Sequence, residues 1–234
     1  MSTLKSKYIA MIPARLGSQR LQKKNLLPLE GVPLIAHAIR KCFQAECFDE
    51  IWVNTESDEI AEVAITEGAR IHKRPASLAN NVATSEDFIT EFLTHHPCEA
   101  VFQVHSIAPL LTAQEVEEFV KHYKTHDQDV LLSCIHDQIE VAFDGEPVNF
   151  TFAEKTNSQD LRPLQRITWS ITAWRYQTFL DAVAQKKAAT YAGKVSFYPV
   201  SAASGHVIKT QHDLDVASAL LRSHSIMQKQ VEDA

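Results

Sequence analysis

The chain reads as an α/β protein with a mostly parallel sheet, on three observations. Strand and helix patterns alternate along most of its 234 residues, as repeated βαβ units require. The first strand pattern, residues 9–12, is a run of four apolar side chains that suits a short buried strand. The chain then breaks at Pro13 and enters a loop holding Gly17, Ser18 and the cations Arg15, Arg20, Lys23 and Lys24. Such a loop, at the C-terminal end of the first strand, suits a polyphosphate, because backbone N–H groups and guanidinium forks supply many donors. Neither G-x-x-x-x-G-K-[ST] nor G-x-G-x-x-G is present, so neither a P-loop nor a dinucleotide-binding loop is indicated. The length fits one domain, or a core with a small subdomain.

The remaining elements follow in order. Residues 34–43 carry apolar side chains at helical spacing, with Arg40 and Lys41 near the end, where cations suit the helix dipole. Residues 50–55 form a second strand, and Ser57 and Asp58 cap an amphipathic helix reaching about residue 64. Arg74 precedes a proline and is expected in an extended loop, where its planar fork can meet a base edge or a phosphate. Thr84 to Asp87 open another helix. Residues 100–105 make a central strand ending in polar side chains. Strand ends of parallel sheets face the ligand crevice, which makes Gln103, His105 and Ser106 site candidates. A helix over 113 to about 122 and a strand over 130–135 come next. Between 136 and about 166 the pattern turns irregular, with turn signals at Gly145-Glu146-Pro147 and Arg162-Pro163. A strand over 194–200 and a helix from Asp213 to about 228 close the chain.

Composition narrows the function. Hydrophobic residues make up 45% and charged ones 22%, as in globular rather than disordered chains. A net charge of −6 argues against nucleic acid as partner, and cations concentrated in one loop of an acidic protein point to a local anion site. No apolar run reaches the length of a membrane span, and residues 1–7 are too short and polar for a signal peptide, so a cytoplasmic protein is expected. Cys42, Cys47, Cys98 and Cys134 lack paired C-x-x-C spacing and are expected as reduced, partly buried thiols rather than zinc ligands. The eleven histidines are scattered along the sequence rather than paired on one helical face, and are expected mostly at the surface.

The string Pro13-Ala14-Arg15-Leu16-Gly17-Ser18-Gln19-Arg20-Leu21-Gln22-Lys23-Lys24-Asn25 resembles the signature loop of the sugar nucleotidyltransferases. It is most similar to that of the cytidylyltransferases that activate ulosonic acids, the CMP-sialic acid and CMP-Kdo synthetases. Gly31-Val32-Pro33-Leu34-Ile35 looks like that family's exit from the loop, and Arg74-Pro75-Ala76-Ser77-Leu78-Ala79 like its R-P-x-x-L-A segment. Asn157 to Leu164 resembles R-x-Q-D-L-P-P. Ile208, Thr210, Asp213 and Ala217 line up with a motif reading D-I-D-T-x-x-D-l-x-x-A. The resemblance spans essentially the whole chain.

It implies a three-layer, Rossmann-like nucleotidyltransferase fold over residues 1–234, with an excursion at about 136–166 that exchanges contacts across a homodimer. It implies transfer of CMP from CTP to an acidic sugar, with Mg²⁺ as the usual cofactor. Arg15, Arg20 and Lys24 would hold the β- and γ-phosphates, helped by Ser18 and the N–H groups around Gly17. Asn25 would lie near ribose or phosphate, and Arg74 would select the base together with backbone groups around Ala14 and Leu78. Gln103 or His105 would stand for the family glutamine that touches the sugar acid, with Gln159 and Trp169 also on the sugar side.

Two departures leave alternatives open. Where the family carries metal-binding aspartates, this chain has Val207, Lys209 and Ile107. Lys209 could replace one metal electrostatically while Mg²⁺ rides on the triphosphate, Asp213 or Asp215 could move in, or the chain could bind without transferring. Thr168-Trp169 replaces the family's Asn-Gly, so the indole either reshapes the acceptor pocket or packs in the core. The acceptor stays open, and a binding protein or a nucleotidyltransferase with another acceptor remains the rival reading.

Overall fold

The computed structural model describes residues 7–232, with side chains to residue 223. The apolar run near the N-terminus is β1 (Tyr8–Pro13). The basic loop then leads to a small hairpin, β2 (Pro28–Leu29) and β3 (Val32–Pro33). Its turn needs positive φ at both Glu30 and Gly31, 49° and 79°, as two-residue hairpin turns of type I′ do. Next come α1 (Leu34–Gln44), β4 (Glu50–Thr55), α2 (Asp58–Thr66) and β5 (Arg70–Lys73). After α3 (Ser85–His95), capped by a reciprocal Thr84–Asp87 box, β6 (Ala100–Val104) returns to the centre of the sheet.

The second half runs through α4 (Ala113–Thr125) and β7 (Val130–Asp137) into the irregular stretch. That stretch contains the short hairpin β8 (Ala142–Phe143) and β9 (Glu146–Pro147). The chain re-enters the sheet as β10 (Leu164–Arg175), then forms α5 (Tyr176–Ala184), β11 (Val195–Pro199) and α6 (Gln211–Glu232). The seven-stranded sheet has the order β11-β7-β10-β6-β1-β4-β5. β10 lies antiparallel between β6 and β7, and the other neighbours pair in parallel.

Alternation along the strands divides the core into two. Ala10 and Ile12 of β1 face one cluster with Ile35 and Ile39 of α1, Ile60 of α2 and Phe119 of α4. Ile9 and Met11 face the other, with Phe92 of α3 and Phe179 of α5. Helices therefore cover both faces, which gives the expected three layers and keeps the strand ends as the open edge.

Several boundaries moved. Residues 70–73, given no element from the sequence, pair with β4 as an edge strand, α4 runs on to Thr125 and α6 begins at Gln211. All four cysteines are free, with Cys42, Cys98 and Cys134 buried. The histidines are less scattered than expected: His72, His95 and His96 converge, and His122 stacks on His126 at the end of α4.

Candidate functional site

β1 has β4 on one side and β6 on the other, and the chain visits them in that order, so the C-terminal end of β1 is a topological switch point. A cleft opens there. It is lined by Arg15, Gly17, Ser18, Arg20, Lys24 and Asn25 from the first loop, by His105, Ser106 and Ile107 after β6, and by Arg74 and Phe88.

The first loop is braced from beneath. Ala14, buried behind the cleft, donates its N–H to the Asn54 carbonyl at 3.0 Å, and the Leu16 N–H donates to Glu56 Oε1 at 2.8 Å. Asn25 donates from Nδ2 to the Arg15 carbonyl at 2.8 Å and accepts the Ser106 hydroxyl on Oδ1 at 2.6 Å. Both ends of its amide thus join the two loops, where the sequence suggested contact with ribose or phosphate. A Cβ at Gly17 would meet nothing within 4 Å, so this position leaves room for a ligand against the backbone.

The cations are held in different ways. Arg15 lines the cleft while its Nη1 donates to the Asn80 carbonyl at 2.5 Å, linking the loop to the segment after Arg74. Lys24 donates to the Ile208 carbonyl at 3.2 Å. Burial, then Arg20 and Arg15, hold its amine below the usual lysine value, with Asp213 pulling the other way. Lys23 is drawn out of the group by Glu59, 2.7 Å from its Nζ. Arg74 is buried at 4% exposure, donating to Asn54 Oδ1 at 2.7 Å and to the Asn54 carbonyl at 2.9 Å. Its guanidinium carbon lies 4.3 Å from the centre of the Phe88 ring, a cation–π contact, and burial brings its pKa down to about 10. Asn54, Glu56 and Phe88 escaped the sequence reading.

His105 lies against the Gln103 side-chain nitrogen, and burial together with Lys24 pushes its pKa down to about 4. It is therefore neutral at pH 7. Gln103 is buried behind it, with Oε1 lacking a partner among the described residues. Two candidates are not brought to the cleft. Gln159 is exposed in the excursion, where its carbonyl accepts from Gln138. Trp169 sits in a bulge of β10 with φ of 59° and packs against the cluster beneath α3 and α5, so the core-packing alternative describes it.

The positions matched to metal aspartates do come together. The Ile208 N–H donates to the Ile107 carbonyl at 2.8 Å, which sets the segment around Val207 and Lys209 beside the loop after β6. No carboxylate lines the cleft among the described residues. Val207 packs on the core, and exposed Lys209 is close enough to Lys24 to depress its pKa. Asp213 is committed elsewhere: its Oδ2 accepts the N–H groups of Lys209 (2.9 Å) and Thr210 (2.7 Å), capping α6. These residues do not fit a protein-held magnesium ion, which prefers carboxylates, water and phosphate oxygens.

A three-layer α/β sheet with a cationic cleft at its switch point defines the class, a domain of the nucleotidyltransferase fold. Two solved structures share that fold. A CMP:2-keto-3-deoxy-manno-octonic acid synthetase complexed with CTP superposes with a TM-score of 0.70 at 19% identity, covering 94% of this chain and 100% of its own. A 4-diphosphocytidyl-2C-methyl-D-erythritol synthase from Anaerococcus prevotii does so with 0.67 at 14% identity, covering 93% and 100%. Within that class the chain belongs to the cytidylyltransferase family, whose model matches residues 9–230.

Among its relatives, N-acylneuraminate cytidylyltransferase A of Danio rerio is 32% identical over 166 residues, covering 67% of this chain and 39% of the relative. The N-acylneuraminate cytidylyltransferase of Streptococcus agalactiae serotype V is 29% identical over 198 residues, covering 80% and 48%. A CMP-N,N'-diacetyllegionaminic acid synthase of Legionella pneumophila is 49% identical over 65 residues, 28% of each chain. The chain thus spans less than half the length of these relatives.

Proposed function

We propose that this protein transfers CMP from CTP to an acidic sugar of the ulosonic acid class and releases pyrophosphate. The observation that carries this is the cleft at the end of β1: Arg15, Arg20, Lys24 and Arg74 converge there without a carboxylate, in a chain of the cytidylyltransferase family. Such a cleft suits a polyanion and repels none of its charge. Relatives named for N-acylneuraminate and N,N'-diacetyllegionaminic acid support an acidic acceptor.

In this reading the anomeric hydroxyl oxygen of the sugar attacks the α-phosphorus of CTP, its proton passing to water, and the bond to the bridging oxygen of pyrophosphate breaks. Arg15, Arg20 and Lys24 neutralise the leaving group, and Lys209 adds a cation where the family carries a metal aspartate. Arg74, rigid between Asn54 and Phe88, meets the base. No protein nucleophile is needed; positioning and charge stabilisation do the catalysis. Any magnesium ion would arrive on the triphosphate itself, since the cleft offers it no carboxylate.

We further propose one nucleotidyltransferase domain acting as a homodimer in the cytoplasm. Phe143, Phe152 and Val148 of the excursion are exposed at 79%, 75% and 53%, apolar surface that a second copy would cover. The free thiols favour a reducing compartment. Among the described residues no helix is long and apolar enough to cross a membrane.

Pyrophosphate release from each of the four nucleoside triphosphates, with a panel of ulosonic acids, tests the activity. CTP-specific release is expected; preference for another nucleotide overturns the cytidylyl assignment. A second reading, binding without transfer, is favoured by Val207 and Lys209 and predicts CTP binding with no turnover on any acceptor.

A further inference from the structure

A second cluster of polar side chains lies between β5 and α3, outside the lining of the cleft. His72 of β5 is buried with Nε2 2.6 Å from Glu91 Oε2 of α3. One helical turn later, His95 Nδ1 is 3.4 Å from the other oxygen of the same carboxylate. One ligand atom from each residue can be chosen so that all lie within 4.8 Å of one another, the one such group of three among the described residues. We propose that His72, Glu91 and His95 form a binding site for a borderline divalent cation of the zinc type, separate from the nucleotide cleft.

Three features make this more than an ion pair. The donors are two imidazoles and one carboxylate, a set that suits zinc and leaves a fourth position for water. They stand on rigid elements, Glu91 and His95 four residues apart on one face of α3 and His72 on the strand beneath. His72 also has the supporting contact of a metal-binding histidine: its Nδ1 is 3.0 Å from His96 Nε2, so with Nε2 on a cation the Nδ1–H donates to His96. His96 is in turn fixed between Trp52 and Phe92, ring centres 4.1 and 4.4 Å away. The His95 side chain is 60% exposed and gives the ion its way in.

The site is linked along the chain to two residues of the cleft wall. Arg74 follows His72 by two residues, and Phe88 precedes Glu91 by one turn of α3. A cation here would pin β5 to α3 just below the Arg74–Phe88 pair and stabilise that wall.

The test is calorimetric titration of the metal-stripped full chain with zinc and, separately, magnesium, with thermal unfolding followed in parallel. One equivalent of zinc should bind and raise the melting temperature, and magnesium should do neither. Glu91→Gln and His95→Ala, both at partly exposed positions, should each abolish the zinc shift. His96→Ala should weaken binding by about tenfold or more. A variant with both His122→Ala and His126→Ala removes the stacked pair on α4 and should leave binding unchanged. Absence of saturable zinc binding, or its loss in that double variant while it persists in Glu91→Gln, overturns the proposal.

Discussion

Arg74 and Asn54 form a buried two-point contact, with Nε and Nη2 of the arginine 2.7 and 2.9 Å from the side-chain and main-chain oxygens of the asparagine. Asn54 is fully buried at the end of β4, so the contact transfers the rigidity of the sheet to a cation in the cleft. Because Asn54 occupies two donors of the guanidinium, it also fixes which edge of the fork remains for a ligand.

Removing either partner should separate stability from binding. Asn54→Ala leaves a buried guanidinium short of an acceptor and should destabilise the fold by about 1–3 kcal/mol in chemical denaturation. Arg74→Lys keeps the charge but loses the planar fork, and should weaken CTP about tenfold in a calorimetric titration with smaller loss of stability. Unaltered CTP affinity in Arg74→Lys would remove Arg74 from nucleotide recognition.

Lys24 gives the cleft a pH dependence. Its amine is held below the usual lysine value by burial first and then by Arg20 and Arg15. The charged form binds phosphate, so CTP affinity should fall as pH rises toward that lowered value, earlier than an ordinary lysine would dictate. Lys24→Arg should flatten the profile on the alkaline side, below the ordinary lysine value of about 10.4, since arginine stays charged there. Lys24→Ala should weaken CTP by roughly 10- to 100-fold at neutral pH. A flat affinity profile in the parent protein would argue against this role.

His105 acts on stability with the opposite pH direction. Burial, with Lys24 beside it, lowers its pKa from 6.5 in the unfolded chain to about 4 in the fold. Between those values the unfolded state binds a proton that the folded state refuses, so stability falls as pH drops through this window. His105→Gln should reduce the acid-side loss by up to about 3 kcal/mol, read as a shallower fall of melting temperature from pH 6.5 to 4. His96, also near 4 by burial and His72, keeps part of the slope in both proteins. Parallel curves for variant and parent would show that His105 titrates normally.

How much of this was legible in sequence depends on what fixes each residue. Arg15, Lys24 and Arg74 could be placed because they follow short apolar strands or precede a proline, and local pattern determines where such loops lie. Asn54 was accessible to the same rule that selected Gln103, since it is a polar residue near the end of a buried strand. Phe88 carried no local signal, because which face α3 turns toward Arg74 depends on packing. The His72–Glu91–His95 group was hidden by the separation of 19 residues between His72 and Glu91, closed only when β5 and α3 are placed side by side. Gln159 was placed by resemblance across an irregular stretch with no periodicity to fix the register, and it lies exposed away from the cleft, while Trp169, just beyond that stretch, follows the core-packing alternative.

Trp169 supplies the most discriminating test of the fold. Between Ile167 and Thr172 the register of β10 against β7 slips, and the bulge turns Trp169 to a φ of 59°. For a residue with a Cβ this left-handed conformation costs about 1–2 kcal/mol, and glycine avoids the cost. The glycine expected here by resemblance is therefore explained by the backbone, while the indole offsets its strain by packing against the core and, edge-on, against Tyr191, ring centres 6.4 Å apart. Both Trp169→Ala and Trp169→Gly lose that packing and should be less stable than the parent. The difference between them isolates the backbone: Trp169→Gly should be more stable than Trp169→Ala by about 1 kcal/mol, the reverse of the usual ranking of glycine below alanine. Chemical denaturation of the two variants measures it, and an alanine variant as stable as the glycine one would show that the bulge does not hold this residue in the left-handed region.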